Sequence, residues 1–137
     1  AYSTAELKKK LYAKEYSTAE ISQVIQECTR HGFLNDEHYA ENLAAAVYAR
    51  GGGKRKAIQK LRTKGIDSEL IKETLAEKED GNVMTELEAA AGALSRKASA
   101  FAREPDPRKR REKALRFLAG RGFSAQVAYE ALRKLVM

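Results

Sequence analysis

Apolar positions recur at helical spacing along almost the whole chain, and the strict alternation of a half-buried strand is missing. Ile21, Val24, Ile25 and Cys28 fit the i, i+3, i+4, i+7 template, as do Ala40, Leu43, Ala44 and Val47. Leu87, Ala90, Ala91, Leu94, Ala98 and Phe101 carry the same period further along. Each stripe is one face of an amphipathic helix. Ser3 with Glu6 and Ser17 with Glu20 read as capping boxes, in which the serine oxygen takes the N3 amide and the glutamate returns to the cap amide. Asn35 or Asp36, Asp67, Asp106 followed by Pro107, and Ser124 supply further N-caps. The pattern predicts eight helices, at 4–14, 18–31, 36–50, 54–64, 68–79, 83–102, 107–120 and 125–136.

Three of the turns are versions of one another. Leu11-x-x-Lys14-Glu15-Tyr16-Ser17 followed by Ile21 and Ile25 aligns with Leu61-x-x-Lys64-Gly65-Ile66-Asp67 followed by Ile71 and Leu75. It aligns again with Leu118-x-x-Arg121-Gly122-Phe123-Ser124 followed by Ala128 and Leu132. In each, a basic residue ends one helix against its C-terminal dipole, and the next position suits a left-handed residue. Gly65 and Gly122 fit that position, and Glu15 is the exception. An apolar residue, Tyr16, Ile66 or Phe123, then stands where it can staple the next helix, a role also expected of Phe33. A longer helix precedes two of these corners, so the first unit lacks its opening helix. The expected division is an all-α array with a partial repeat at 1–34, a second repeat at 35–81 and a third at 82–137. Joints are expected at Glu79 to Asn82 and at Arg103 to Pro107.

Composition narrows the function more than the fold. Hydrophobic residues make up 43% of the chain, which excludes whole-chain disorder, and no uncharged stretch is long enough to span a bilayer. No apolar leader follows a basic start, and the one cysteine, Cys28, cannot close an internal disulfide, which favours a reducing cytoplasm. The net charge of +7 is unevenly placed. Residues 51–72 hold seven Lys+Arg against two Asp+Glu, and residues 105–137 hold nine against three. Residues 73–104, between them, hold four against seven.

Candidate chemistry is sparse. Gly51-Gly52-Gly53-Lys54 lacks the earlier glycine of a phosphate loop, has Arg55 where a Ser or Thr must hold magnesium, and follows no strand. It reads as a flexible joint, the alternative being a close backbone approach to a partner. Cys28 and His31 share a helix side, but a structural zinc site needs about four ligands and His38 is the only other histidine. Cys28 reads as a buried, inert thiol. Asp36, Glu37 and Glu41 read as capping and dipole-pairing groups. Nothing assembles an active site, so no catalytic residue, metal or cofactor is expected and the chain is not read as an enzyme.

The basic blocks remain. Lys54, Arg55, Lys56, Lys60, Arg62 and Lys64 crowd one helix, with Arg50 just before it. Arg108, Lys109, Arg110, Arg111, Lys113 and Arg116 crowd another, with Arg121 at its turn. Stacked side by side, they would form a stripe matched to phosphates or to an acidic protein groove. The acidic segment between them is not expected to contribute. The helices that follow the corners open on Asp67-Ser-Glu-Leu and Ser124-Ala-Gln-Val, which counts against base reading.

The order and spacing of several motifs resemble the RecX family of bacterial regulatory proteins. They are Gly32-Phe33-Leu34-Asn35-Asp36-Glu37-x-Tyr39-Ala40, Arg50-Gly51-x-Gly53-Lys54-x-Lys56, Leu61-x-x-Lys64-Gly65-Ile66, and Arg116-Phe117-Leu118-x-x-Arg121-Gly122-Phe123-Ser124. The resemblance covers nearly the whole chain. It implies tandem three-helix repeats in an elongated, curved, monomeric molecule. It also implies binding to RecA recombinase filaments along their helical groove, restraint of ATP hydrolysis and strand exchange in recombination and DNA repair, and weak affinity for DNA. Glu15 at the first turn and Gly52 between the loop glycines depart from the family pattern, as does the absence of tryptophan from the third repeat. A helical module that binds DNA without reading its sequence is the alternative.

Overall fold

The structure, a computed structural model, describes residues 2–80 and 84–135. Among them are eight helices and no strand: α1 (Thr4–Ala13), α2 (Thr18–Arg30), α3 (Asp36–Ala49), α4 (Lys54–Thr63), α5 (Ser68–Asp80), α6 (Glu86–Ala102), α7 (Pro107–Gly120) and α8 (Ala125–Leu135). The capping boxes at Ser3/Glu6 and Ser17/Glu20 form on both sides, Asn35 caps α3, and Asp106 caps α7 with Pro107 at the first helical position. One start differs. The helix expected from residue 83 begins at Glu86, because Thr85 and Glu88 close a capping box that fixes the boundary there. Of the joint expected at 79–82, Glu79 and Asp80 are helical, while Gly81 and Asn82, and with them the boundary between the second and third repeats, lie outside the described residues.

The helices pack in groups: α1 on α2, then α3 with α4 and α5, then α6 with α7 and α8. One apolar core runs from Ala40 on α3 to Leu132 on α8. Its many alanines, among them Ala44, Ala57, Ala90, Ala114 and Ala131, let the helix backbones approach closely. The first corner stays outside that core. No residue of α1 is buried, and on α2 only Ile21 is. Ile66 and Phe123 staple their corners as expected, but Tyr16 is 48% exposed and Phe33 76% exposed. Leu34, one residue nearer the Asn35 cap, takes the buried place expected of Phe33. The left-handed position is real in all three corners, with positive φ at Glu15, Gly65 and Gly122.

The repeats meet through one joint used twice. The N-terminus of α4 lands on the turn between α7 and α8: Gly53 N–H donates to the Arg121 carbonyl (2.8 Å) and Arg55 N–H to the Gly122 carbonyl (3.1 Å). Orphan amides at the start of one helix thus satisfy orphan carbonyls at the end of another. In the same way α1 lands on the turn between α4 and α5, where Ser3 Oγ donates to the Lys64 carbonyl at 2.6 Å. A carboxylate at the first residue of the next repeat's opening helix completes each joint. Asp36 Oδ1 accepts the Thr4 amide (2.9 Å), and Glu86 Oε2 accepts the Lys54 amide (2.7 Å). The helices α7, α4 and α1 therefore follow one another end to end. An accessible surface of 9075 Å², against about 7,100 Å² for a compact monomer of this mass, fits such an extended row.

Candidate functional site

The two joints decide where the basic residues go. Because α4 and α7 meet end to end, their cationic blocks lie in succession along the row and not side by side as expected. Folding also divides the blocks. Lys54 and Arg55 line a cavity of about 700 Å³ between the second and third repeats, where Glu79, Glu86 and Glu130 face them. Lys64 pairs with Glu6 of α1 (3.3 Å), Arg108 with Glu112 (3.6 Å) and Lys113 with Glu104 (2.9 Å). Arg110 Nε donates to the Glu104 carbonyl at 3.1 Å. Lys56 is half-buried, its backbone amide packed against the Gly122 turn.

Lys60 and Arg62 on α4, and Lys109, Arg111 and Arg116 on α7, stay exposed without an ion pair among the described residues. Arg50 and Arg121 come together where α3 and α7 end, with Arg121 Nη1 donating to the Arg50 carbonyl at 3.3 Å. The Arg121 guanidinium also lies over the Phe117 ring, 5.0 Å from its centroid. Arg96 and Lys97 of α6, which belong to the net-acidic stretch 73–104, join this group. Glu79 of the same stretch has a structural role, its Oε1 accepting the Glu86 amide at 3.0 Å.

The remaining candidates resolve plainly. Gly51, Gly52 and Gly53 are all buried, so the run is a packed joint and not a flexible one. A Cβ on Gly53 would stand 2.5 Å from the Gly122 carbonyl oxygen, so the partner its backbone approaches is the next repeat of this chain. Cys28 is half-exposed, since the first corner leaves the α2 stripe open, and His31 lies 3.4 Å from Glu27. No group of three metal-ligating side chains occurs among the described residues. No described helix is long and apolar enough to cross a membrane.

Three ionisable groups feel the local electrostatics. Glu6 is held below the usual carboxylate range, chiefly by the Ser3 amide of its capping box and further by Tyr39 and Lys64. Tyr39, desolvated and bonded to Glu6, is pushed up to about 12. Burial pushes Glu86 upward, with Glu79 adding to the shift against the opposing Lys54 amide.

Similarity to known proteins follows the same architecture. Residues 35–75 match the family model for the second three-helix domain of RecX, and residues 85–132 match that for the third. Regulatory protein RecX of Trichlorobacter lovleyi is 34% identical over 97% of this chain and 86% of its own length. The chain belongs to the RecX family. RecX of Legionella pneumophila is 32% identical over 98% of the chain and 85% of its own length. The crystal structure of RecX from Lactobacillus salivarius superposes with a TM-score of 0.83 at 20% identity, covering 98% of this chain and 85% of that one. That likeness supports the fold alone. Within a RecX chain, the cations left free on α4 and α7 and the group at Arg50 and Arg121 are the candidates for contact with a partner. Arg96 and Lys97 were missed because the count averaged them with the seven acids of residues 73–104.

Proposed function

We infer that the protein regulates recombination by binding RecA filaments and restraining their ATP hydrolysis and strand exchange. Family membership over nearly the full length is the observation that carries this reading. An extended row of repeats supports it, because such a row can follow a filament groove through many weak contacts. Lys60, Arg62, Lys109, Arg111 and Arg116, exposed and without an ion pair among the described residues, supply the charge complement that an acidic groove or a phosphate backbone requires. On this reading the protein acts where RecA filaments form, in the cytoplasm.

Co-sedimentation tests the reading. RecA filaments assembled on single-stranded DNA should retain the protein better than naked DNA at equal salt, and ATP hydrolysis by the filament should fall as the protein is added. Equal retention on naked DNA, with hydrolysis unchanged, would replace this reading with a helical module that binds DNA without reading its sequence.

A further inference from the structure

We propose that the pocket where α3, α6 and α7 meet is an oxyanion site that takes one phosphate group of a nucleic-acid strand. Arg50, Arg96, Lys97 and Arg121 line this pocket together with Phe117 and Ala93. No carboxylate lines it, and none of the four cations is ion-paired among the described residues. Four like charges gathered around one small space repel one another, and folding gains nothing from placing them there unless an anion enters.

The pocket is also organised before any anion arrives. Arg121, half-buried, is held between the Arg50 carbonyl and the Phe117 ring, so its free N–H groups are already aimed. Arg96 reaches from α6 to the backbone at Gly51, after α3, where a glycine leaves room: a Cβ there would stand 2.8 Å from Arg96 Nη2. The second repeat supplies Arg50 and the third supplies the other three cations, so the site exists only while the joint between them is closed.

Charge selects the ligand. The pocket, about 150 Å³, has room for one tetrahedral oxyanion among the four cations. Three guanidiniums and an ammonium offer more donors and more charge than one carboxylate can use, whereas a phosphate presents several oxygens to them. A strand laid across the joint would place its backbone here and leave its bases outside, so binding would not depend on sequence. The proposal does not depend on filament binding and is tested without RecA.

Arg96→Gln with Lys97→Gln removes two of the cations without touching the joint bonds of Gly53, Arg121 or Glu86. Binding of short labelled single-stranded and duplex oligonucleotides is measured by fluorescence anisotropy over a range of salt. Circular dichroism checks that the helices remain. Affinity should fall on the order of tenfold, with a salt dependence shallower by about one to two phosphate contacts. Lys8→Gln with Lys9→Gln, the same charge change on exposed α1, should cost clearly less. Inorganic phosphate should displace the oligonucleotide better than chloride at equal ionic strength.

An equal loss in the two double variants, or displacement by phosphate no better than by chloride, would show diffuse attraction and overturn the site. Binding of polyglutamate as tight as that of the oligonucleotides, with the same loss in Arg96→Gln/Lys97→Gln, would overturn the phosphate assignment in favour of an acidic protein.

Discussion

At the joint between the first and second repeats, side chains make the bonds: Ser3 Oγ to the Lys64 carbonyl, Asp36 to the Thr4 amide and hydroxyl, Glu6 to Lys64. At the joint between the second and third, backbone pairs with backbone, Gly53 and Arg55 amides on the Arg121 and Gly122 carbonyls, and the Glu86, Glu79 and Arg121 side chains add bonds to backbone groups around them. The two joints hold the same geometry by different means. Backbone contact needs glycine on both faces, and it lets the apolar core continue across from Ala40 to Leu132. At the first joint Gly65 lets the Ala5 methyl of α1 come as close, yet the first corner stays outside that core. The difference predicts a rigid pair of repeats carrying a more detachable first corner.

The sharpest way to break the comparison is to add a side chain at the backbone joint. Gly53→Val places a Cβ against the Gly122 carbonyl, and Gly122→Val places one 2.7 Å from the Lys56 amide at a φ of +92°. Overpacking of a filled interface costs about 1–3 kcal/mol, and a left-handed non-glycine adds about 1–2. Gly53→Val should lose about 2 kcal/mol through overpacking alone and Gly122→Val about 3, falls in melting temperature on the order of 5–10 °C. A melt within a degree or two of the parent would mean that this joint does not hold the repeats.

At the first joint the corresponding changes should act locally. Asp36→Ala and Ser3→Ala each remove a bond between repeats, and Ser3→Ala also removes a cap, for about 1–2 kcal/mol. Amide exchange should quicken in α1 and α2 while α3 to α8 keep their protection. Loss of protection through the whole chain would contradict the idea of a detachable corner.

Much of this architecture is legible in the sequence, because helices and corners are local. The period of Ile71 and Leu75, the serine caps and the left-handed positions need only neighbouring residues, and all eight helices fall where these signals put them to within a few residues. The joints were not legible. Each unites residues 32 to 71 positions apart, such as Lys54 with Glu86 or Arg121 with Arg50, and no local pattern links them. Phe33 marks the limit of the local signals: it stands where a staple is expected, yet Leu34, adjacent to the Asn35 cap, is the buried residue.

Glu15 sharpens the comparison from the other side. It occupies the left-handed position at a φ of 65°, but its turn is exposed, with nothing docked on it among the described residues. At Gly65 an added Cβ would collide with the Ala5 methyl of α1. Glu15→Gly should therefore relieve backbone strain without opening a joint, stabilising the first corner by up to about 1 kcal/mol. Gly65→Ala should destabilise by more than strain alone, because it also pushes α1 away. Equal and opposite effects in melting would show that the corner glycines serve the turn only and not the docking.

The smallest effect is the one that separates the joints by sign. Glu6 has its folded pKa lowered below the ordinary 4.5, so what it contributes is present above 4.5 and is lost as pH falls through the lowered value. Glu86 has its folded pKa raised above 4.5 by burial, with Glu79 adding to the rise and the Lys54 amide and ammonium opposing it. The folded state therefore takes up that proton before the unfolded state does. Its cost is full at neutral pH and is relieved as pH falls through the raised value towards 4.5. Acidification should thus ease the second joint first and weaken the first joint only below 4.5. Glu20 and Glu104 are also lowered, so the parent melt mixes several groups, and differences between variants isolate the two. Glu86→Gln should flatten the change in melting temperature between neutral pH and 4.5, and Glu6→Gln should flatten the change below 4.5. If both variants altered the same pH window, the two joints would share one electrostatic character and the contrast between them would rest on glycine alone.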